Sequence, residues 1–199
     1  MTNATRRSLH GLAELVLAGP QHRASGTIRL RVTQDGFATV AGPDLRVNAD
    51  ALFAGGRRVP LAGRTLRELA DEAGVGIGAP EGIYADGSGA GPDDRVVLDG
   101  AGEILGAFAA GDAALRTLGG EAAPVLWPEH FDVGVSLDEV NYGVSAGDTA
   151  IDEPYAYIGP WTPRTGDFWN MSFGAGRPVR EVPDIAAFFA EGRRLAAQG

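Results

Sequence analysis

The chain has 199 residues, of which 44% are hydrophobic and 22% charged, and a formal charge of -9, proportions that fit one folding domain better than a disordered segment or a coiled coil. An acidic chain lacks the concentrated basic surface that phosphate neutralisation needs, which argues against a nucleic-acid partner. Cysteine is absent and all 17 basic residues are arginine, which closes disulfide, thiolate, Schiff-base and phosphate-loop lysine chemistry.

The first element is a helix. In TRRSLHGLAELVLAGP, residues Leu9, Leu12, Ala13, Val16 and Leu17 recur at helical spacing, and Gly19-Pro20 reads as its stop. His10 and Glu14 stand one turn apart on its flank and read as a solvated pair. Ile28, Leu30 and Val32 then alternate with polar residues up to the tight turn Asp35-Gly36, predicting a hairpin. Shorter apolar runs continue an antiparallel sheet to about residue 61. Thr65 and Glu68 have the spacing of a capping box, so a second helix is expected over residues 66 to 73, with Gly74 after it.

Residues 75 to 91, glycine-dense and without periodicity, read as a long loop that could join two lobes, 1–74 and 92–199. The loop lacks the strand, helix and spacing of a nucleotide fingerprint. Asp86, Ser88, Asp93 and Asp94 do not match a calcium-loop pattern either. Arg95 to Asp99 is a strand candidate. Ile104, Leu105, Phe108, Leu115 and Leu118 then form a helical stripe, strand-like runs fill 124 to 161, and Pro183-Asp184 opens a last helix. Strands grouped before helices favour an α+β fold, an antiparallel sheet or sheets packed against helices in a single domain. No apolar run is long enough to cross a bilayer, and the expected location is cytoplasmic.

Chemistry concentrates in the C-terminal half. Trp127, Trp161, Trp169, Tyr142, Tyr155, Tyr157, Phe131, Phe168 and Phe173 all lie between 127 and 173, enough aromatic surface for a core or the walls of a pocket. If 131 to 136 is a strand, His130 and Asp132 share a face. Asp132 would then orient His130 as a general base, with Glu129 or Glu153 as second proton carrier. Trp127, Asn141, Tyr142, Tyr155, Tyr157, Trp161 and His22 are the candidate ligand-binding positions. A metal reading would combine His130 and His22 with Asp132, Glu139 or Glu153, but no close ligand spacing supports it, and no metal or cofactor is expected.

The same residues carry a resemblance. Trp127-Pro128-Glu129-His130-Phe131-Asp132, Asp138-Glu139, Asn141-Tyr142-Gly143-Val144-Ser145-Ala146-Gly147-Asp148 and Glu153-Pro154-Tyr155-Ala156-Tyr157 resemble the C-terminal half of an uncharacterised bacterial domain-of-unknown-function family. The likeness covers about residues 125 to 175 and is weaker around Gln21-His22. It implies a shared fold and a shared special surface, and carries no reaction.

The expectation is a protein that binds a small molecule in an aromatic-lined pocket, with acid–base catalysis as its reactive form. The alternative is a noncatalytic interaction module or homodimer using an exposed patch such as GPWTPRTGDFW. A metal-dependent enzyme is the third reading.

Overall fold

The computed structural model describes residues 3–119 and 123–198. The fold class is α+β with antiparallel strands. The chain divides into two compact units, residues 1–106 with 126–131, and residues 107–125 with 132–199. The glycine-dense loop lies wholly inside the first.

In the first unit the leading helix does not stop at Gly19-Pro20. It runs as α1 (Asn3–Gly11), a π-helical segment (Leu12–Ala18) and α2 (Gly19–Ser25), ending at the left-handed Gly26. Pro20 explains the π segment. It has no N–H to give to the preceding turn and its ring crowds that turn, so the helix widens there instead of breaking. The Gly19 N–H reaches back five residues to the Glu14 carbonyl. A widened turn leaves carbonyls to be satisfied from outside, and Leu15 takes the Gly78 N–H at 3.0 Å.

The strands of this unit are β1 (Leu30–Thr33), β2 (Gly36–Thr39), β3 (Leu45–Asn48), β4 (Ala51–Ala54), β5 (Arg57–Pro60) and β6 (Val125–Trp127), in the order β6-β1-β2-β3-β4-β5, with antiparallel neighbours. The π segment packs on β1, β2, β3 and on α3 (Leu66–Ala73). Helix α3 begins with the expected capping box, Thr65 and Glu68 each accepting from the other's backbone N–H. The strand expected over 95 to 99 is reduced to a single bridge between Thr65 and Arg95.

Helix α4 (Ala101–Thr117) buries Ile104, Leu105, Phe108 and Leu115 of its expected stripe, and Leu118 is buried just past its end. The strands of the second unit are β7 (Asp132–Leu137), β8 (Val140–Ser145), β9 (Tyr155–Pro160) and β10 (Ala175–Pro178), a four-stranded antiparallel meander. Helix α5 (Ile185–Ala196) packs on β8 and β9 and is capped by Asp184, which accepts the Ala187 N–H. Gly111 of α4 lies so close to Val144 that a Cβ there would sit 2.6 Å from its methyl carbon. Among the described residues no helix is long and apolar enough to cross a membrane.

Candidate functional site

The polar cluster of the first unit forms where the π segment, the glycine-dense loop and the WPEHF turn meet. The segment Leu12–Ala18 is buried on every side, and Glu14, the one charged residue in it, is only 5% exposed. Glu14 is therefore not half of a solvated pair. Its Oε2 accepts the Ser88 N–H at 2.9 Å and the Ser88 hydroxyl, and that hydroxyl oxygen takes the Ala90 N–H at 3.1 Å. The glycines of the loop have a physical reason. A Cβ on Gly87 would fall on the Glu14 carboxylate, and one on Gly19 would fall on the Gly78 carbonyl. Helix and loop approach backbone to backbone at Gly19 and backbone to carboxylate at Gly87, too close for any side chain.

One turn before Glu14, the His10 Nε2–H donates to the Pro128 carbonyl at 2.6 Å, and its ring stacks on Phe131 with centroids 5.2 Å apart. Burial lowers the His10 pKa below its ordinary 6.5, against the opposing pull of the Pro128 hydrogen bond and the Glu14 charge. At neutral pH this is a neutral imidazole with Nε2 protonated, so Nδ1 carries a lone pair. The Tyr84 hydroxyl is buried without a hydrogen-bond partner of good geometry. Burial first, and then the charge of the adjacent Glu14, raise its pKa far above the usual tyrosine value, so it stays protonated.

His130 belongs to this cluster and not to a strand face. Residues 127 to 131 make one turn, closed by the Phe131 N–H to the Trp127 carbonyl at 2.8 Å, and Phe131 has a φ of +51°. That left-handed residue ends the alternation expected over 131 to 136. Its strain, on the order of 1–2 kcal/mol, is held by burial of its ring against His10 and Phe37. The His130 side chain is 74% exposed, with Nε2 3.7 Å from the Glu129 carboxylate.

Asp132 has a different setting. It is buried at the start of β7, where its carboxylate receives the Tyr157 hydroxyl. Tyr155 donates to Asp148 at 2.6 Å, and Asp148 also accepts the Ala150 and Ile151 N–H groups. Burial is the largest cause raising the pKa of both tyrosines, and their carboxylate neighbours add to it. The segment Asn141–Asp148 acquires a mechanical meaning here. A Cβ on Gly143 would collide with the Tyr157 phenol, and Ser145 holds the Gly147 N–H at 3.1 Å to set up the Asp148 turn.

The remaining candidates are scattered. Glu153 is held by Arg180 at 2.7 Å, and that hydrogen bond lowers its pKa. His22 sits half-buried in the last turn of α2. Its neighbour Gln21 is the fully buried fastener, donating to Thr27 and Arg29 carbonyls and accepting from Val40 and Ala41 N–H groups. Trp127 lies under the Arg29 guanidinium at 5.7 Å. Trp161 is 63% exposed and donates through Nε1 to Asn141 at 3.2 Å. Among the described residues no group of three or more His, Asp or Glu is arranged to hold a metal ion.

A cleft of about 120 Å³ occurs in the second unit, and Tyr142 is the one aromatic of the expected pocket that lines it. The sequence did carry a signal for Glu14, a lone carboxylate inside an apolar helical run shortly before a proline, but helical periodicity alone could not show that a distant loop buries it.

Comparisons with protein-family models, with curated proteins and with solved structures found no match.

Proposed function

We propose that the chain is a small-molecule-binding protein with acid–base chemistry centred on Glu14. The observation that carries this reading is a carboxylate 5% exposed, held in a π-helical turn beside a buried, protonated Tyr84 hydroxyl and a neutral His10. Burying a carboxylate is costly, and π turns inserted into α-helices are frequent at functional sites. Titratable groups perturbed by burial and gathered round one carboxylate fit a proton-transfer site. In this reading Glu14 takes a proton from a small polar substrate, and Tyr84 donates a hydrogen bond to the oxygen on which charge develops. Glu129 and the exposed His130 stand at the solvent side and return the proton to water. Asp132 and Glu153, engaged by Tyr157 and Arg180, have structural roles instead.

Glu14→Gln tests this, because the amide oxygen can still accept from Ser88 while the charge is gone. Its unfolding free energy should stay within about 1 kcal/mol of the wild type or exceed it, since the desolvation of a charge is removed. Ligand-observed NMR against small fragments bearing carbonyl and amide groups should give wild-type binders that the variant loses. Destabilisation above about 3 kcal/mol with fragment binding unchanged, or no wild-type binders, overturns the reading and leaves Glu14 as a fastener.

A further inference from the structure

The cleft of the second unit lies where the β7–β8 turn, the end of β9 and the last turn of α5 converge, with Asp138, Glu139, Tyr142, Arg164, Arg193 and Ala196 among its lining. Two buried polar atoms of this lining have no hydrogen-bond partner, the Tyr142 hydroxyl and the Arg164 Nε. Buried polar atoms in native proteins are nearly always paired, so two orphans in one cleft need a reason.

Both orphans are donors. Arg164 Nε carries a hydrogen that it cannot lose. Tyr142 is fully buried, its ring edge-on to Phe189 at 6.0 Å, and its pKa is pushed up to about 12, chiefly by burial. It keeps its proton. Arg193 reaches the Asp138 carboxylate and the Leu118 carbonyl, each at 2.8 Å, and the Arg164 Nη2 donates to the Ala196 carbonyl at 2.8 Å. That last bond satisfies a carbonyl at the C-terminal end of α5, where the helix would otherwise repel negative charge. Arg164 is left without a carboxylate partner among the described residues.

The rim is strained as well. Asp138 and Glu139 form the two-residue turn between β7 and β8 with φ of +52° and +61°, positions that hairpins usually give to Asn and Gly. Strained backbone of this kind collects at ligand sites.

We infer that this cleft binds a compact oxyanion, the carboxylate or phosphate group of a small molecule, between the Tyr142 hydroxyl and the Arg164 guanidinium. Arg193 is tethered to Asp138 and spends none of its hydrogen bonds on the ligand, so the positive charge facing the ligand comes from Arg164. A space of about 120 Å³ admits such a head group and few further atoms. The site is independent of the Glu14 cluster and does not rest on it.

The test is titration calorimetry of the full chain with sodium phosphate and, separately, sodium acetate at constant ionic strength, with sodium chloride as control. Phosphate or acetate should bind, and the one that binds more tightly identifies the head group. Tyr142→Phe, which keeps the ring and removes the orphan hydroxyl, should weaken binding at least ~10-fold while leaving Tm unchanged or raised. Arg164→Gln should abolish binding, and in case it fails to fold, the Arg164 Nε–H resonance of the wild type should move on titration and that of Arg193 much less. Heats equal to those with chloride, or binding unaltered by Tyr142→Phe, overturn the proposal.

Discussion

The two faces of the β8–β9 pair treat their tyrosines in opposite ways. On one face Tyr157 stands opposite Gly143, and its hydroxyl is given to Asp132, with Tyr155 given to Asp148 beside it. On the other face Tyr142, packed on Phe189, ends in a hydroxyl with no partner at a cleft lined by two arginines. Burial raises the pKa of both phenols, so burial alone does not separate fastening from function. Partnership does. A buried phenol with a carboxylate partner fastens the structure, whereas one without a partner costs stability that something else must justify.

Breaking the paired face should cost most. Gly143→Ala drives a Cβ into the Tyr157 phenol and should lose about 3 kcal/mol or more in urea unfolding, with an unchanged denaturant slope. Tyr157→Phe keeps the ring and strips Asp132 of a charge-assisted hydrogen bond, a loss of about 2–3 kcal/mol. The matching change on the other face, Tyr142→Phe, should stay within about 1 kcal/mol of the wild type or be more stable. Equal losses at 142 and 157 would erase the distinction. Glu139→Gly relaxes a left-handed residue in the β7–β8 turn and should gain about 0.5–1 kcal/mol, read as a higher urea midpoint.

The smallest effect concerns pH. Burial holds the His10 imidazole below its ordinary 6.5, so the unfolded chain takes up the proton first as the pH falls. The contribution of neutral His10 is complete above about 6.5 and is lost as the pH drops through the lower folded value. His10→Gln, which can still donate to the Pro128 carbonyl, should flatten the decline of stability just below pH 6.5 relative to the wild type. An unchanged slope would show that another group titrates there.

Elements with local signals were legible in the sequence. The Thr65–Glu68 capping box, the β1–β2 hairpin, the Asp184 cap and the stripe of α4 each depend on residues a few positions apart, and each formed, although the hairpin turns one residue early, at Gln34-Asp35, with Gly36 already in β2. The candidate site was not legible, because its parts are brought together by packing over long sequence separations. Glu14 is buried by Ser88, and His10 is held by Pro128. Gly19-Pro20 looked like a stop because proline ends most helices; here the turn widened to π geometry and the loop satisfied the freed Leu15 carbonyl. The expected strand register around His130 failed at one residue, Phe131, whose positive φ is stabilised by aromatic stacking that no alternation pattern encodes.

The loop that covers Glu14 is attached chiefly through its main chain, by the Gly78 and Ser88 N–H groups and by the two places where glycine lets it approach the helix. An attachment of this kind is indifferent to most side chains between its anchor points. The exposed Glu81 and Ile83 can therefore exchange composition and charge with little consequence, even though the loop has no regular secondary structure, while a single methyl group added at position 19 or 87 would prise it from the helix. Tolerance to substitution along this segment should thus run opposite to what residue size suggests, least at its smallest residues.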